Sequence, residues 1–270
     1  MAVYPILPRA RTEALGIDTS YYFAGRPDKP AIVLLHGMST SADSFRELMY
    51  QQADSYYLIA PDIPGVGYRE NTDPYTMPHL IEWLASFVHN QNLSPIQLLG
   101  HSFGGTLAAG YSLAYPEDVA DLLLLAPALL VANTYPLWLR QVGKSLRLVD
   151  AGVAASRLWL ERQIKVPFYD PDLLDESVWE RRRIDYSLSR ASAGAMNAVA
   201  FFDIREQLSE ISQRTAIIWG RQDPVVTPKH ADVLVDKIPV AEKHVVDKCG
   251  HVPMIEQEEE VGSIIRGFLQ

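Results

Sequence analysis

The fold of this chain is decided by Leu99-Gly100-His101-Ser102-Phe103-Gly104-Gly105. An apolar run, Pro95–Leu99, leads into this stretch, and a run of small residues with helical character, Thr106–Tyr111, follows it. The pattern predicts a strand, a sharp turn and a helix, which is the context in which a G-x-S-x-G motif presents a reactive serine. We expect Ser102 at the strained tip, with Gly100 and Gly104 free of the Cβ atoms that would collide in such a turn.

Outward from this motif, short apolar runs alternate with helical patterns along most of the chain. Continuous runs such as Ala31–Leu35 and Val119–Ala126 are typical of parallel strands that are covered on both faces. An early β-prone stretch, Ile17–Phe23, predicts one arm of a hairpin. The alternation therefore predicts an α/β fold with a mostly parallel twisted sheet and helices on both faces.

The pattern changes between residues 128 and 200. Strand-like runs vanish there, and helical segments rich in aromatic residues and arginine replace them. The strand–helix alternation resumes with the strand Thr215–Gly220, the helix Lys229–Lys237, the strand Lys243–Asp247 and a closing helix over Pro253–Leu269. We interpret 1–127 together with 201–270 as one core domain and 128–200 as a helical insertion.

Composition excludes several classes of protein. The formal net charge is −9, and the densest basic block, Arg181-Arg182-Arg183, lies among acids, which disfavours nucleic-acid binding. The first residues lack the basic and apolar regions of a secretory signal, and no apolar run approaches the length of about 20 residues that a membrane helix needs. The single cysteine, Cys249, excludes an intramolecular disulfide. We expect a soluble, cytoplasmic protein without a membrane partner.

Three residues suited to nucleophilic catalysis each follow a predicted strand: Ser102, Asp223 and His251. A serine hydroxyl needs a base to accept its proton, and that base needs a group that orients it and stabilises its cation. The carboxyl ends of parallel strands meet at one edge of a sheet, so we expect the three side chains to lie together there.

The chain order Ser, Asp, His and the G-x-S-x-G turn together resemble the α/β-hydrolase family. The resemblance covers nearly the whole chain and rests on five stretches: His36-Gly37, Pro61-Asp62-x-Pro-Gly65-x-Gly67, Gly100–Gly105, Trp219-Gly220-x-x-Asp223-Pro224-Val225 and Gly250-His251-x-Pro-x-x-Glu256. It implies the α/β-hydrolase fold with residues 128–200 as its helical cap.

The resemblance also implies roles for individual residues. Ser102 would be the nucleophile, His251 the general base and then acid, and Asp223 the residue that orients His251. The backbone N–H groups of Met38 and Phe103 would form the oxyanion hole. No cofactor is implied. No aspartate–histidine spacing in the chain indicates a metal site.

Other polar residues near these motifs have more ordinary interpretations. We expect His36 to shape the oxyanion loop, His101 to pack or hydrogen-bond beside the turn, and Asp62 to form a turn. Asp247 is a weaker competitor of Asp223 for His251. Cys249 is interpreted as a small packed thiol.

The nucleophile points to the reaction. Related dehalogenases and epoxide hydrolases carry Asp at this turn. A serine, Ser102, at the same position indicates acyl transfer to water. We therefore predict that the substrate is a carboxylic ester of small to medium acyl size. The alternatives are a meta-cleavage C–C hydrolase, which the loop Gly37–Thr40 and Val252 after His251 disfavour, and a slow-turnover small-molecule receptor. We expect an apolar substrate pocket lined by Trp138, Leu139, Phe168 and Met196. We interpret the arginines of the cap as exposed charges. The protein is expected to be a monomer or a homodimer.

Overall fold

The computed structural model describes residues 4–65, 72–130, 162–189 and 192–270. Eight strands form one sheet: β1 (Arg9–Ala14), β2 (Ile17–Ala24), β3 (Ala31–Leu35), β4 (Tyr57–Pro61), β5 (Ile96–His101), β6 (Val119–Leu125), β7 (Arg214–Gly220) and β8 (Ala241–Val246). Their spatial order is β1-β2-β4-β3-β5-β6-β7-β8. The pairs β1–β2 and β2–β4 are antiparallel. The other six strands, β3 to β8, are parallel to one another.

The α-helices that lie wholly within the described ranges are α1 (Arg46–Gln52), α2 (Met77–Asn90), α3 (Phe103–Ala114), α4 (Glu176–Leu188), α5 (Ser192–Ala200), α6 (Lys229–Lys237), α7 (Pro253–Glu256) and α8 (Glu258–Phe268). A short 3-10 helix, Ala42–Phe45, precedes α1. The closing helix predicted as one segment is two, because Gln257 leaves the helical region at φ −136° and ψ 53°.

The central strands are mostly apolar, as expected where both faces of the sheet are covered. Along β3, Val33 and Leu35 belong to the core that contains α2, α3 and α6, whereas Ile32 and Leu34 belong to the core that contains α1, α7 and α8. The alternation of side chains along a strand divides each run between two hydrophobic cores. This two-sided burial confirms the predicted fold class.

The sheet order places the candidate residues at one edge. β3 pairs with β4 on one side and with β5 on the other, so the chain crosses from one half of the sheet to the other at this point. The ends of β3 and β5 carry His36-Gly37 and Ser102, and the loops after β7 and β8 carry Asp223 and His251. Such a topological switch point is where open α/β sheets bind ligands.

The segment interpreted as a cap is described only in part. Residues 162–189 and 192–200 contain α4 and α5 and no strand, and residues 131–161 lie outside the described ranges. The division of the chain into core and cap stays a prediction. No helix in the described portion is long and apolar enough to cross a membrane.

Candidate active site

Ser102 occupies the turn between β5 and α3 in a conformation that L-residues rarely adopt, with φ 50° and ψ −111°. Such a backbone costs on the order of 1–3 kcal/mol and persists only where its surroundings hold it. The N–H of Ser102 donates to the carbonyl of Leu125 at the end of β6, at 2.9 Å. A Cβ atom added at Gly100 would lie 2.3 Å from the carbonyl oxygen of Gly104, so the turn needs the glycine predicted there.

His251 joins Ser102 to Asp223. Its Nε2 lies 3.0 Å from Ser102 Oγ, and its Nδ1 lies 2.7 Å from Asp223 Oδ2. Because a carboxylate only accepts, Nδ1 carries the proton and Nε2 presents a lone pair to the serine hydroxyl. The structure therefore brings together the three side chains predicted from the sequence, in an arrangement that can remove the hydroxyl proton.

Asp223 is held by donors on both carboxylate oxygens. Its Oδ1 accepts from the N–H groups of Val225 and Val226, at 2.8 and 2.9 Å, and its Oδ2 accepts from Trp219 Nε1 at 3.0 Å. The Asp223 side chain is fully buried. Buried charges need such partners, and here the partners fix the orientation of the carboxylate toward His251.

The backbone of His251 is also fixed on both sides. Its N–H donates to the carbonyl of Pro167 at 2.7 Å, and its carbonyl accepts from His101 Nε2 at 2.7 Å. Burial and the neighbouring His251 lower the pKa of His101 well below its ordinary value. His101 is therefore a neutral imidazole with its proton on Nε2, and it links the serine turn to the histidine loop.

Two backbone N–H groups are candidates for an oxyanion hole. Phe103 is the first residue of α3, where an N–H has no intrahelical carbonyl partner. The carbonyl of Gly37 accepts from His36 Nδ1 and from Thr40 Oγ1, both at 2.9 Å. Because a trans peptide directs its N–H opposite to its C=O, these two bonds also fix the direction of the Met38 N–H.

His36 is neutral in this arrangement. Its Nε2 accepts from the N–H of Ile63 at 2.9 Å, which places its proton on Nδ1, and burial lowers its pKa. The prediction that His36 shapes the oxyanion loop is consistent with these contacts.

The sequence model of the alpha/beta hydrolase fold family matches residues 30–258 of this chain. This chain belongs to the α/β-hydrolase family. The match covers all six parallel strands as well as the three residues around the turn, which agrees with the sheet order described above.

Two curated relatives of this α/β-hydrolase cleave esters, according to their names. Monoacylglycerol lipase ABHD6 of Mus musculus is 28% identical over 263 residues, which cover 92% of this chain and 78% of the relative. Pimeloyl-[acyl-carrier protein] methyl ester esterase of Aeromonas salmonicida is 26% identical over 250 residues, which cover 89% of this chain and 95% of the relative.

A solved structure from Rhodococcus, 2-hydroxy-6-oxo-6-phenylhexa-2,4-dienoate hydrolase, superimposes with a TM-score of 0.82 at 20% identity. The match covers 98% of this chain and 99% of that chain. At this level of identity the similarity establishes the fold and leaves the reaction open.

The remaining predicted pocket residues have mixed positions. Trp138 and Leu139 lie outside the described residues. Phe168 is buried edge-on against Trp179, with ring centroids 5.0 Å apart. Met196 on α5 is 41% exposed. Their role in binding substrate stays a prediction.

Asp62 and Asp247 do not contact His251. Asp62 is buried and accepts from Arg9 Nη2 and Ser20 Oγ, both at 2.6 Å, and from the N–H of Ala42. Asp62 therefore braces the start of the 3-10 helix rather than a turn of its own. Asp247 pairs with Arg221 at the surface.

Cys249 is buried, and burial raises the pKa of its thiol, in agreement with a packed and unreactive cysteine. In the described portion of the chain, no three histidine, cysteine, aspartate or glutamate residues are grouped so that they could hold a metal ion. The expected absence of a metal stays a prediction.

The interpretation of the cap arginines as exposed charges is wrong for Arg181 and Arg182. Arg181 pairs with Asp43 and Glu47, and so ties α4 to the segment that contains the 3-10 helix and α1. Arg182 is 4% exposed, with its guanidinium 5.6 Å from the Phe168 ring centroid. Helical spacing could not reveal this burial, because the contacts with Asp43, Glu47 and Phe168 depend on how α4 packs against distant parts of the chain.

Trp219, Thr40 and the carbonyl of Pro167 are site residues that sequence reasoning missed. Trp219 stands within the stretch Trp219-Gly220-x-x-Asp223, so its spacing from Asp223 was a usable signal. Pro167 lies 84 positions before His251, in the segment interpreted as a cap, and no local pattern points to it.

Proposed function

We propose that this chain is a serine hydrolase that cleaves carboxylic esters of small to medium acyl size through an acyl-enzyme. The observation that carries the proposal is the relay from Ser102 Oγ to His251 Nε2 at 3.0 Å and from His251 Nδ1 to Asp223 at 2.7 Å. The ester specificity is supported by the names of the two curated relatives.

In the first half of the reaction, Ser102 Oγ attacks the ester carbonyl carbon while its proton passes to His251 Nε2. The carbonyl oxygen becomes an oxyanion and accepts from the N–H groups of Phe103 and Met38. When the tetrahedral intermediate collapses, the C–O bond to the alcohol breaks. The alcohol leaves with the proton from His251, and the acyl group remains on Ser102.

In the second half, water replaces the alcohol. His251 Nε2 accepts a proton from the water as its oxygen attacks the acyl carbon, and a second tetrahedral intermediate forms. Its collapse breaks the bond between the acyl carbon and Ser102 Oγ, which takes the proton back from His251 Nε2, and the carboxylic acid is released. Asp223 accepts from Nδ1 throughout and stabilises the imidazolium form of His251.

The test is the hydrolysis of p-nitrophenyl esters of increasing acyl length by the wild type and by Ser102→Ala. We expect multiple turnover that is lost in Ser102→Ala, and the chain-length profile measures the acyl pocket. Ser112→Ala is the matched control, because Ser112 is a buried serine of α3, the helix that follows Ser102, and its hydroxyl donates to the carbonyl of Ala108. Near wild-type turnover in Ser102→Ala would contradict the assignment of the nucleophile.

A folded wild type that gives a single burst or no turnover would overturn the ester specificity. In that case vinylogous diketones would test for C–C hydrolysis, and candidate signal lactones would test for a receptor. The assembly as a monomer or homodimer and the cytoplasmic location stay predictions, of which size-exclusion chromatography tests the first.

A further inference from the structure

Glu256 at the end of α7 directs its carboxylate back at the loop that carries His251. Its Oε1 accepts from the N–H groups of Gly250 and Val252, at 2.9 and 3.2 Å. These two residues flank His251 on either side. A single carboxylate oxygen therefore accepts from the backbone N–H groups of the residues before and after the histidine.

The other oxygen of Glu256 reaches a different part of the chain. Oε2 accepts from the N–H of Tyr169 at 2.7 Å. Tyr169 belongs to the same short segment as Pro167, whose carbonyl accepts from the N–H of His251. The segment 167–169 thus contacts the histidine loop twice, once directly and once through Glu256.

The histidine loop and segment 167–169 are in close contact at Gly250. A Cβ atom added at Gly250 would lie 2.5 Å from the carbonyl oxygen of Pro167 and 2.7 Å from the nitrogen of Tyr169. The backbones therefore touch at Gly250, and the Glu256 carboxylate spans the junction. Hydrogen bonds from N–H groups to a charged acceptor are about twice as strong as neutral ones.

We propose that Glu256 is a positioning residue for His251 and that it couples the histidine loop to segment 167–169. The inference rests on the proposed serine-hydrolase function. Its physical reason is that His251 Nε2 must stay within hydrogen-bond reach of Ser102 Oγ, and a displacement of about 1 Å in a catalytic group can lower the rate about 100-fold.

Two substitutions separate the contact that Glu256 makes with Tyr169 from its two contacts with the histidine loop. In Glu256→Gln the amide oxygen can still accept from Gly250 and Val252, but the amide NH2 then faces the N–H of Tyr169, donor against donor. Glu256→Ala removes all three acceptor contacts. Glu259→Gln is the matched control, because Glu259 is an exposed residue of α8 and the substitution makes the same change of charge.

The experiment measures kcat and KM with p-nitrophenyl esters, together with the rate at which a fluorophosphonate labels Ser102. We expect kcat and the labelling rate to fall about 10-fold in Glu256→Gln and about 100-fold in Glu256→Ala. KM should change by less than about 2-fold, because no substrate contact is removed. Values for both Glu256 variants that match those of Glu259→Gln would overturn the proposal.

A spectroscopic measurement separates this inference from the proposed function. The low-field proton NMR signal of the His251 Nδ1–H reports its bond to Asp223, whether or not the protein hydrolyses esters. We expect this signal to broaden or shift in Glu256→Gln and to stay unchanged in Glu259→Gln. If the wild type neither hydrolyses esters nor reacts with the fluorophosphonate, the proposed function is wrong. If the Nδ1–H signal is unchanged in both Glu256 variants, the positioning role of Glu256 is wrong, whatever the activity of the wild type.

Discussion

Trp219 Nε1 donates to Asp223 Oδ2 at 3.0 Å, and the same oxygen accepts from His251 Nδ1 at 2.7 Å. A fully buried residue near the end of β7 thus fixes the carboxylate that orients the histidine. The indole N–H also lies 3.1 Å from the carbonyl of Val226, so it is shared between two acceptors. The edge of the sheet that carries Ser102, Asp223 and His251 is in this way connected to the hydrophobic core.

Trp219→Phe removes this donor and retains an aromatic ring. We expect kcat for ester hydrolysis to fall about 10-fold, because one hydrogen bond to a charged group contributes about 1.5–3 kcal/mol and part of this orients Asp223. Trp83→Phe is the control, since Trp83 is equally buried and donates to Thr19 Oγ1 at 2.9 Å, away from the site. Equal kcat values in the two variants would contradict an orienting role for Trp219.

Gly104→Ala inserts a Cβ atom 2.2 Å from the carbonyl oxygen of Leu35 and 2.6 Å from that of His36. Since these neighbours are backbone atoms of β3 and the oxyanion loop, we expect the Ser102 turn to be displaced and activity to fall by about 100-fold or more. The control is Gly267→Ala in α8, where no atom lies within 4 Å of the added Cβ. We expect this helical substitution to raise the free energy of unfolding by up to about 1 kcal/mol, measured by urea denaturation.

Arg181→Gln breaks the ion pairs that tie α4 to Asp43 and Glu47. Because the three side chains are at most 16% exposed, Glu47 would be left partly buried without its partner, whereas Asp43 keeps its ion pair with Arg46. We expect a loss of about 2–4 kcal/mol in the free energy of unfolding. Arg183→Gln on the same helix breaks a pair with the 68% exposed Glu176, and we expect a loss of at most about 1 kcal/mol. Equal losses would show that the Arg181 pairs do not hold α4.

Two buried neutral histidines, His36 and His101, should make the free energy of unfolding depend on pH. Burial lowers both pKa values below the ordinary value of 6.5. A lowered folded-state pKa means that the unfolded chain binds the proton first as the pH falls. The stabilisation is therefore complete above about pH 6.5 and is lost progressively below it, by about 1.4 kcal/mol per pH unit for each histidine.

Urea denaturation between pH 8 and pH 5 measures this slope. We expect the slope below pH 6.5 to become shallower in His101→Gln, which keeps a donor for the carbonyl of His251 and cannot titrate. A slope identical to that of the wild type would contradict the assignment of His101 as a buried neutral residue.

The sheet and the order of the loops at its edge could be predicted from local sequence patterns. Apolar runs such as Ala31–Leu35 and the small-residue turn around Ser102 are local patterns, and parallel strands must bring their carboxyl ends to one edge. The meeting of Ser102, Asp223 and His251 could therefore be predicted. The break between α7 and α8 at Gln257 could not be predicted, because the acidic run Glu258–Glu260 continues the helical pattern.

The residues that hold the three side chains in place became identifiable from the packing of the folded chain. His101 and Glu256 act on His251 through backbone atoms, and Pro167 does so from a segment with no strand pattern. Arg181 and Arg182 carry charges that sequence reasoning assigns to the surface, yet α4 buries them against Asp43 and Phe168. Periodicity reports which face of an element is apolar, whereas hydrogen bonds between residues about 80 to 150 positions apart depend on how the elements pack.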